Sequence, residues 1–350
     1  MVQREREIPI RVGVAGLGRS GWGIHARAVG ELSELFTLVA VCDPDVQRQK
    51  EAGERFGCRA YGEYPDLVAD DEVELVVVAT PSQLHAGDTI SALRAGKDVL
   101  VEKPMARDLA EVDEMIAVAR ETGRILTVNQ NYRYAADFQK VQEIIESGVL
   151  GRILEIRIAV HQFRRRWDWQ TLKRYGGGIL SNHGAHVVDW ATLLVDDPEP
   201  ELFCHMEATP LYAGDADSHV KLLILPRNGP VIDIELTHAC AYPQETWLVM
   251  GTQGGLSSDR RTVRWKYFYP GEAPPLVLDT QPTPDRSYNS ETLPWQEKSC
   301  ELADDFDAGV RQLYRDLHAT IRRGRPLAIT PESVRRQMAI LERCRALSPV

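Results

Sequence analysis

The chain has 350 residues, a formal net charge of −10 and a charged-residue share of 26%. This length exceeds that of one ordinary domain and predicts two domains with a cleft between them. The acidic balance disfavours nucleic acid as a partner, because phosphate binding needs a basic face. No apolar run reaches the roughly 18 residues of a membrane span, and the charged N-terminal segment does not resemble a secretory signal, so we expect a cytoplasmic protein. The six cysteines lack zinc-type spacing, so neither a metal site nor a disulfide is predicted.

Short β-branched runs alternate with amphipathic stretches in the first third of the chain. Strands are predicted at residues 10–15, 38–42, 75–79, 99–101 and 125–128, and helical spacing is found at 82–95 and 109–122. The strands are almost continuously apolar, which is typical of parallel strands buried on both faces. The pattern predicts an α/β Rossmann domain over residues 1–130.

The pattern changes to longer strand-like segments in the remainder of the chain. Strands are predicted at residues 153–163, 220–225, 231–238, 246–251 and 262–268, and helices near Asn182 and at 303–323 and 331–347. Residues 131–350 are therefore expected to form an α+β domain for substrate binding and oligomerisation, with a large open, mostly antiparallel sheet. Its free face predicts a homodimer or homotetramer, and whether the last helices pack back on the first domain is left open.

A glycine-rich turn directly after the first predicted strand indicates a nucleotide site. The spacing G-x-G-x-x-G allows a tight turn and close approach of backbone amides to a pyrophosphate. Asp43 lies 22 residues beyond Gly21, at the end of the second strand, where a carboxylate can bind an adenosine ribose. It would repel a 2′-phosphate, so NAD is favoured, while nearby Arg48 keeps NADP as the alternative. The predicted cofactor contacts here are Gly16, Gly18, Arg19, Ser20, Gly21 and Asp43.

Three further segments carry a family resemblance: ATPSQLH at 79–85, AGKDVLVEKP at 95–104 and GGGILSNHGAHVVD at 176–189. Together with the glycine turn, they resemble the glucose–fructose oxidoreductase, inositol dehydrogenase and MocA (Gfo/Idh/MocA) family of nicotinamide-dependent dehydrogenases over nearly the whole chain. The resemblance implies that Lys103 lies near the nicotinamide and the substrate hydroxyl, and that His186 is the acid/base. The cofactor contacts assigned on this side are Thr80, Pro81, His85, Glu102 and Lys103, with the role of His85 left open.

The chemistry of alcohol oxidation fits these residues. A neutral imidazole can take a hydroxyl proton at cellular pH, so His186 is the candidate base. Many family members have Asp where this chain has Asn182; on a helix, that Asn would share a face with His186 and could bind substrate or orient the imidazole. Lys103 as a cation would stabilise alkoxide character. We expect activity near neutral pH, and the core interpretation is favoured for His183.

Residues at the carboxyl edge of the first sheet are candidates for substrate binding. Tyr132 and Arg133 follow its last predicted strand and are expected to line the substrate. Asp189, three residues after His186, would either bind substrate or brace the helix.

The segment at 161–169 contains three consecutive arginines flanked by aromatic residues. Arg166 could grip an anionic group while Trp167 stacks on a sugar ring. The alternative is an interface or a solvated loop held by Asp168.

The sequence therefore predicts an NAD-dependent dehydrogenase that oxidises a secondary hydroxyl of a sugar, sugar derivative or cyclitol. Two alternatives stay open. One is an enzyme that modifies glycosides through transient oxidation, and the other is a dinucleotide-binding regulator without turnover. Neither nucleic acid nor a membrane is expected as a partner.

Overall fold

The computed structural model describes residues 8–281, 286, 288, 290–303 and 306–350. The first sheet is parallel throughout, with strand order β3-β2-β1-β4-β5-β6. Its strands are β1 (Ile10–Ala15), β2 (Phe36–Cys42), β3 (Arg59–Tyr61), β4 (Leu75–Val78), β5 (Asp98–Val101) and β6 (Leu126–Val128). This order confirms the predicted Rossmann fold, and the carboxyl ends of β1, β4 and β5 meet at one edge.

Helices connect these strands as crossovers. They are α1 (Arg27–Glu31), α2 (Val46–Phe56), α3 (Tyr64–Ala69), α4 (His85–Arg94) and α5 (Leu109–Thr122). Asp45 and Asp108 begin α2 and α5 by accepting hydrogen bonds from backbone amides of the first turn. A π-helical turn, Gly21–Ala26, precedes α1 and leads directly out of the glycine-rich turn.

The second sheet has the strand order β14-β13-β12-β11-β7-β10-β9-β8. Its strands are β7 (Ile153–His161), β8 (Glu201–Glu207), β9 (His219–Leu225), β10 (Val231–Thr237), β11 (Trp247–Gly251), β12 (Gly254–Ser258), β13 (Thr262–Tyr267) and β14 (Gln296–Glu301). Only the β7–β10 pair is parallel among these neighbours, so the expectation of a mostly antiparallel sheet is confirmed.

One face of the second sheet is covered and the other is open. Helices α6 (Ala136–Glu146) and α7 (Ala185–Leu194) supply the cover, where Trp190 and Trp247 are fully buried. On the open face, Lys221 forms ion pairs with Asp233 and Glu235 across β9 and β10. The alternation of buried and half-exposed positions along β9 and β10 produces this two-sided character.

The C-terminal helices α8 (Phe306–Arg323) and α9 (Pro331–Leu347) pack against the first sheet's layer. Thr127 in β6 donates to the Ile329 carbonyl at 2.8 Å, and Arg322 pairs with Glu74 at 3.0 Å. The last helices therefore do pack back, while the domain boundary at residue 130 stays a prediction. In the described part of the chain, no helix has the length and apolar character needed to cross a bilayer.

Four strands were not predicted from the sequence: β3, β8, β12 and β14. β3 has only three residues and β14 reads QEKSCE, so neither has an apolar alternation. β8 reads ELFCHME, where the exposed Phe203 interrupts the alternation, and β12 reads GGLSS, which has one large apolar residue. Register with neighbouring strands, rather than local pattern, places all four in the sheets.

Candidate active site

The glycine turn between β1 and Gly21 has the shape that a dinucleotide requires. Gly16 has φ +86°, and a Cβ there would lie 2.5 Å from the Ala79 carbonyl oxygen. A Cβ on Gly21 would lie 1.7 Å from the Gly16 oxygen, whereas nothing lies within 4 Å of the Cβ position of Gly18. The first and third glycines are therefore required by packing, and the middle one leaves the backbone open to a ligand. These residues fit the pyrophosphate of NAD.

Asp43 closes this turn from the end of β2. Its carboxylate accepts hydrogen bonds from the Leu17 amide at 2.7 Å and the Asp45 amide at 3.0 Å. Arg48 Nη1 lies 3.4 Å from the same carboxylate. Asp43 thus holds the turn in place, and its contact with ribose stays a prediction.

The other predicted cofactor contacts differ in how accessible they are. Arg19 and Pro81 are exposed, and Ser20 and Thr80 are half-buried. The Thr80 hydroxyl donates to Asp88 Oδ2 at 2.7 Å. Arg19 and Ser20 belong to the glycine turn after β1, and Thr80 and Pro81 follow the end of β4. All four residues therefore lie at the carboxyl edge of the first sheet.

The assignment of His85 to the cofactor is wrong. Its side chain is 1% exposed, and its ring nitrogens lie 2.8 Å from the Pro104 carbonyl and 3.0 Å from the Thr80 carbonyl. Both nitrogens are used in joining the loops after β4 and β5. His85 is therefore a brace for those loops.

Glu102 is also a brace, and its predicted contact with the cofactor stays a prediction. It is 6% exposed, and Oε1 accepts from His25 Nε2 and Asn129 Nδ2, each at 3.0 Å. Oε2 accepts from the Lys103 amide at 3.0 Å. Burial raises the pKa of Glu102, but hydrogen bonding and charge from His25 outweigh burial and hold that pKa below its ordinary value. The Tyr314 hydroxyl lies 2.8 Å from His25 Nδ1 and completes the buried network.

Lys103 points across the cleft to the segment that precedes α7. Its Nζ donates to Asn182 Oδ1 at 2.9 Å and to the Asn182 carbonyl at 3.2 Å. Burial lowers the pKa of Lys103 to about 8; the charges of Arg19 and Arg166 act in the same direction, and Glu102 opposes them. Its ammonium is therefore readily deprotonated compared with a surface lysine.

His186 is held in one tautomer by Gln130. Gln130 Nε2 donates to the Ala185 carbonyl at 3.0 Å, which turns its Oε1 toward His186 Nδ1 at 3.1 Å. An amide oxygen only accepts, so Nδ1 carries the proton and Nε2 is the free base. Burial lowers the pKa of His186 well below the ordinary imidazole value, and the Lys103 charge lowers it further. The imidazole is therefore neutral at cellular pH.

A π-helical turn changes the predicted relation between Asn182 and His186. Residues Leu180–Gly184 form this turn, and regular α-helix begins only at Ala185. The Asn182 amide oxygen consequently contacts Lys103, and the orienting group for His186 is Gln130. The interpretation that Asn182 orients the imidazole is wrong, and a contact with substrate stays a prediction.

Two predicted substrate residues instead form a buried ion pair. Arg133 donates to Asp189 through Nε at 2.7 Å and Nη2 at 2.6 Å, and Asp189 is 1% exposed. Both carboxylate oxygens are occupied, so the assignment of these residues to substrate is wrong. Asp189 was expected either to bind substrate or to brace the helix, and its contacts support the second role.

Tyr132 lies beside the base. Its ring stacks on that of His186 with centroids 4.1 Å apart, and the Arg260 guanidinium carbon lies 5.3 Å from the Tyr132 ring centroid. Tyr132 is half-buried, so its predicted contact with substrate stays open.

The arginine segment is mostly a braced loop. Arg166 donates to Asp168 at 2.9 and 2.7 Å and to Gln170 at 2.7 Å, and it is 9% exposed. The Trp167 side chain is 82% exposed, and its contact with substrate stays a prediction. The alternative of a loop held by Asp168 is the one that the contacts of Arg166 support.

Sequence analysis missed the residues that support the site from a distance. His25, Gln130 and Tyr314 belong to three different parts of the chain, and only Gln130 carried a signal, because it follows β6 at the carboxyl edge. His183 was favoured as a core residue but is half-buried and packs edge-on against His238, with ring centroids 5.7 Å apart.

Comparisons with known proteins agree with this fold. A family model described as oxidoreductase family, NAD-binding Rossmann fold, matches residues 10–130, and a GFO/IDH/MocA C-terminal domain model matches residues 138–257. The myo-inositol 2-dehydrogenase of Thermotoga maritima is 29% identical over 71% of this chain and 75% of that protein. The D-glucoside 3-dehydrogenase of Escherichia coli is 32% identical over 54% of this chain and 55% of that protein. The chain thus spans only about half the length of some curated relatives.

Solved structures show the same fold along nearly the whole chain. An NAD-binding protein from Listeria innocua superimposes with a TM-score of 0.82 at 22% identity, covering 98% of both chains. A levoglucosan dehydrogenase, solved with NADH and levoglucosan, gives a TM-score of 0.81 at 20% identity, covering 97% of both chains.

Proposed function

Because the chain belongs to the Gfo/Idh/MocA family of NAD-binding oxidoreductases, we propose that it oxidises a secondary hydroxyl of a sugar, sugar derivative or cyclitol. One observation carries this proposal. The Lys103 ammonium, held by Asn182, stands beside a neutral His186 whose Nε2 is free to accept a proton. The names of the inositol and glucoside dehydrogenases among its relatives support the substrate class.

The residues of the glycine turn, with Asp43, would hold the dinucleotide. The cofactor supplies the hydride acceptor when it is bound. Asp43 favours NAD because a carboxylate repels a 2′-phosphate, and the fixed backbone amides of the turn face the pyrophosphate.

His186 is the proposed base. Its Nε2 takes the hydroxyl proton while Nδ1 remains hydrogen-bonded to Gln130, so the resulting imidazolium keeps a partner on that side. The stacked Tyr132 ring limits rotation of the imidazole and excludes water from one face.

Lys103 is the proposed electrostatic group. As a cation it stabilises the negative charge that develops on the substrate oxygen, and partial burial strengthens this effect. Glu102 orients it through the backbone, since the carboxylate accepts from the Lys103 amide and is itself fixed by His25. Asn182 holds the amine toward the base without neutralising it.

Absorbance at 340 nm tests the proposal. Purified protein with NAD⁺ and a panel of sugars, inositols and glycosides should produce NADH with one compound class. The Lys103→Ala variant should lose turnover and retain NAD binding, measured by quenching of tryptophan fluorescence. Loss of both together would mean that Lys103 belongs to the nucleotide site.

Two results would favour the alternatives. Release of a sugar from a glycoside without net NADH indicates the route through transient oxidation, and product analysis of the glycoside reactions detects it. Tight NAD binding with no turnover on any compound indicates a regulator.

We also propose that the open face of the second sheet joins copies of this chain. Its β11–β14 end carries a concavity of about 660 Å³ whose lining includes Leu248, Met250 and Trp295. Apolar side chains of this size in an open groove are typical of subunit contacts. Light scattering should give a dimer or tetramer mass, and Leu248→Glu should reduce it, because Leu248 is exposed on this face.

A further inference from the structure

Basic side chains lie near His183, which follows the residue that holds the Lys103 amine. The segment after β7 runs beside the end of β10, where the Arg164 amide donates to the His238 carbonyl at 3.0 Å. Arg166 joins the same region through its amide, which donates to the Leu211 carbonyl at 2.9 Å. The segment after β7 thus carries Arg164 beside His238, whose ring contacts that of His183.

His183 and His238 form the centre of this region. His183 directly follows Asn182, the residue that holds the Lys103 amine. Its ring packs edge-on against His238, whose Nδ1 lies 2.8 Å from the Tyr212 hydroxyl. Among the described residues, His183 makes no side-chain hydrogen bond, and its half-buried ring leaves it open to a ligand.

The charge around these rings is positive. Burial, together with the nearby charges of Lys103, His238, Arg166 and Arg164, lowers the pKa of His183 to about 3. Burial likewise lowers the pKa of His238 to about 4, with Arg166 and Arg164 acting in the same direction. Both rings are therefore neutral, and the positive charge that they sense comes from the surrounding lysine and arginines.

Carboxylates offset the charge of two of these groups and, among the residues described, leave Arg164 without a partner. Asp168 pairs with Arg166 at 2.7 Å, and the charge of Glu102 opposes that of Lys103. Arg164 is exposed and has no side-chain hydrogen bond or ion pair within the residues that the structure describes. A chain with a net charge of −10 thus keeps an uncompensated guanidinium near its proposed active site.

We propose that the substrate is an anionic sugar, whose carboxylate or phosphoryl oxygens bind between Arg164 and His183 while its hydroxyl faces Lys103. A guanidinium and an imidazole N–H are suitable donors for an oxyanion. This inference rests on the proposed dehydrogenase function and specifies its substrate class.

Matched substrate pairs test the inference. Initial rates with NAD⁺ are compared for glucuronate against glucose, galacturonate against galactose, and glucose 6-phosphate against glucose. At least one anionic member should exceed its neutral partner tenfold or more in kcat/KM, and added NaCl should reduce that ratio. The carboxylate and phosphate pairs identify which oxyanion is bound. Equal or higher kcat/KM for every neutral partner would overturn the inference and leave the dehydrogenase proposal intact.

Two neighbouring arginines provide a variant and its control. Arg164→Gln should raise KM for the preferred anionic substrate tenfold or more and change kcat/KM for the neutral partner less than twofold. Arg165→Gln removes the same charge from the adjacent exposed residue and should leave both values within twofold. Equal effects of the two variants would show that only the general field matters, which contradicts a site at Arg164.

Binding without turnover separates the two proposals. Calorimetry of the NADH complex should show binding of the anionic sugar at least tenfold tighter than that of its neutral partner. Such binding with no oxidation of any compound would support the anion site and refute the dehydrogenase. No preference in binding would refute the anion site whatever the turnover.

Discussion

Replacing Asn182 by aspartate gives the sharpest test of the role of Lys103. The amide oxygen of Asn182 lies 2.9 Å from Lys103 Nζ, so Asn182→Asp adds a charge there with almost no change in shape. At an effective dielectric constant of about 20, two charges at this distance attract by about 6 kcal/mol. Desolvation of the new carboxylate lowers stability equally in both protonation states of Lys103 and does not enter its pKa, whereas solvent screening reduces the attraction, so that one adjacent opposite charge shifts a pKa by about 1–3 units. The pKa of Lys103, now about 8, should therefore rise by roughly 2 units.

The pH dependence of kcat/KM measures this change. A lysine that acts as a cation loses its function as pH rises through its pKa, so the alkaline limb should lie near pH 8 in the native enzyme. In Asn182→Asp it should move to roughly pH 10. The pKa of Lys103 can also be measured without substrate. Acetic anhydride labels the neutral amine, so the rate of labelling at Lys103, followed by mass spectrometry, is determined across the same pH range.

Asn182→Ala is the control, because it removes the acceptor and adds no charge. Its alkaline limb should not move upward. The reasoning is refuted if Asn182→Asp folds normally and keeps its alkaline limb near pH 8, or if native activity increases through pH 8, since neutral Lys103 would then be the base.

Three further substitutions test the supporting contacts. Asp43→Asn should increase the NADP-to-NAD ratio of kcat/KM about tenfold or more, because the repulsion of a 2′-phosphate disappears and a guanidinium lies 3.4 Å away; an unchanged ratio would remove Asp43 from the ribose site. Gln130→Met should lower kcat/KM about 10- to 100-fold at constant NAD affinity, since His186 Nδ1 loses its acceptor; steady-state kinetics with a native-like value would contradict the tautomer assignment. Arg133→Met should lower the free energy of unfolding by roughly 3–5 kcal/mol in urea, because Asp189 stays buried without its partner, and adding Asp189→Leu should restore much of it.

Local sequence patterns were sufficient for the Rossmann sheet and for the main residues of the proposed site. The β-branched runs located β1, β4 and β5 because those strands are buried on both faces. Lys103 and His186 stood in segments with a recognisable family pattern, and the structure brings them together. Thr330 and Pro331 marked the start of α9, because a capping hydroxyl and a fixed φ favour that position.

Contacts between distant parts of the chain could not be predicted. His25 and Tyr314 are 289 residues apart, yet they meet beside Glu102 because α8 packs back on the first domain. Arg133 and Asp189 each looked suitable for substrate, and only the fold shows that they neutralise one another.

Helix geometry misled sequence analysis in a different way. Ordinary α-helical spacing places residues four apart on one face, but a π-helical turn has more residues per turn. The turn at Leu180–Gly184 directs Asn182 toward Lys103 and gives His183 a place at the cleft. The anion site proposed at Arg164 and His183 therefore depends on backbone geometry that no side-chain pattern revealed.

The most direct test of the account is NADH formation by the native protein and by Lys103→Ala across a panel of neutral and anionic sugars and cyclitols. We expect absorbance at 340 nm to increase with NAD⁺ and one compound class in the native protein, and to stay flat in the variant while NAD still binds. No increase with any compound, despite bound NAD, would contradict the proposed dehydrogenase activity.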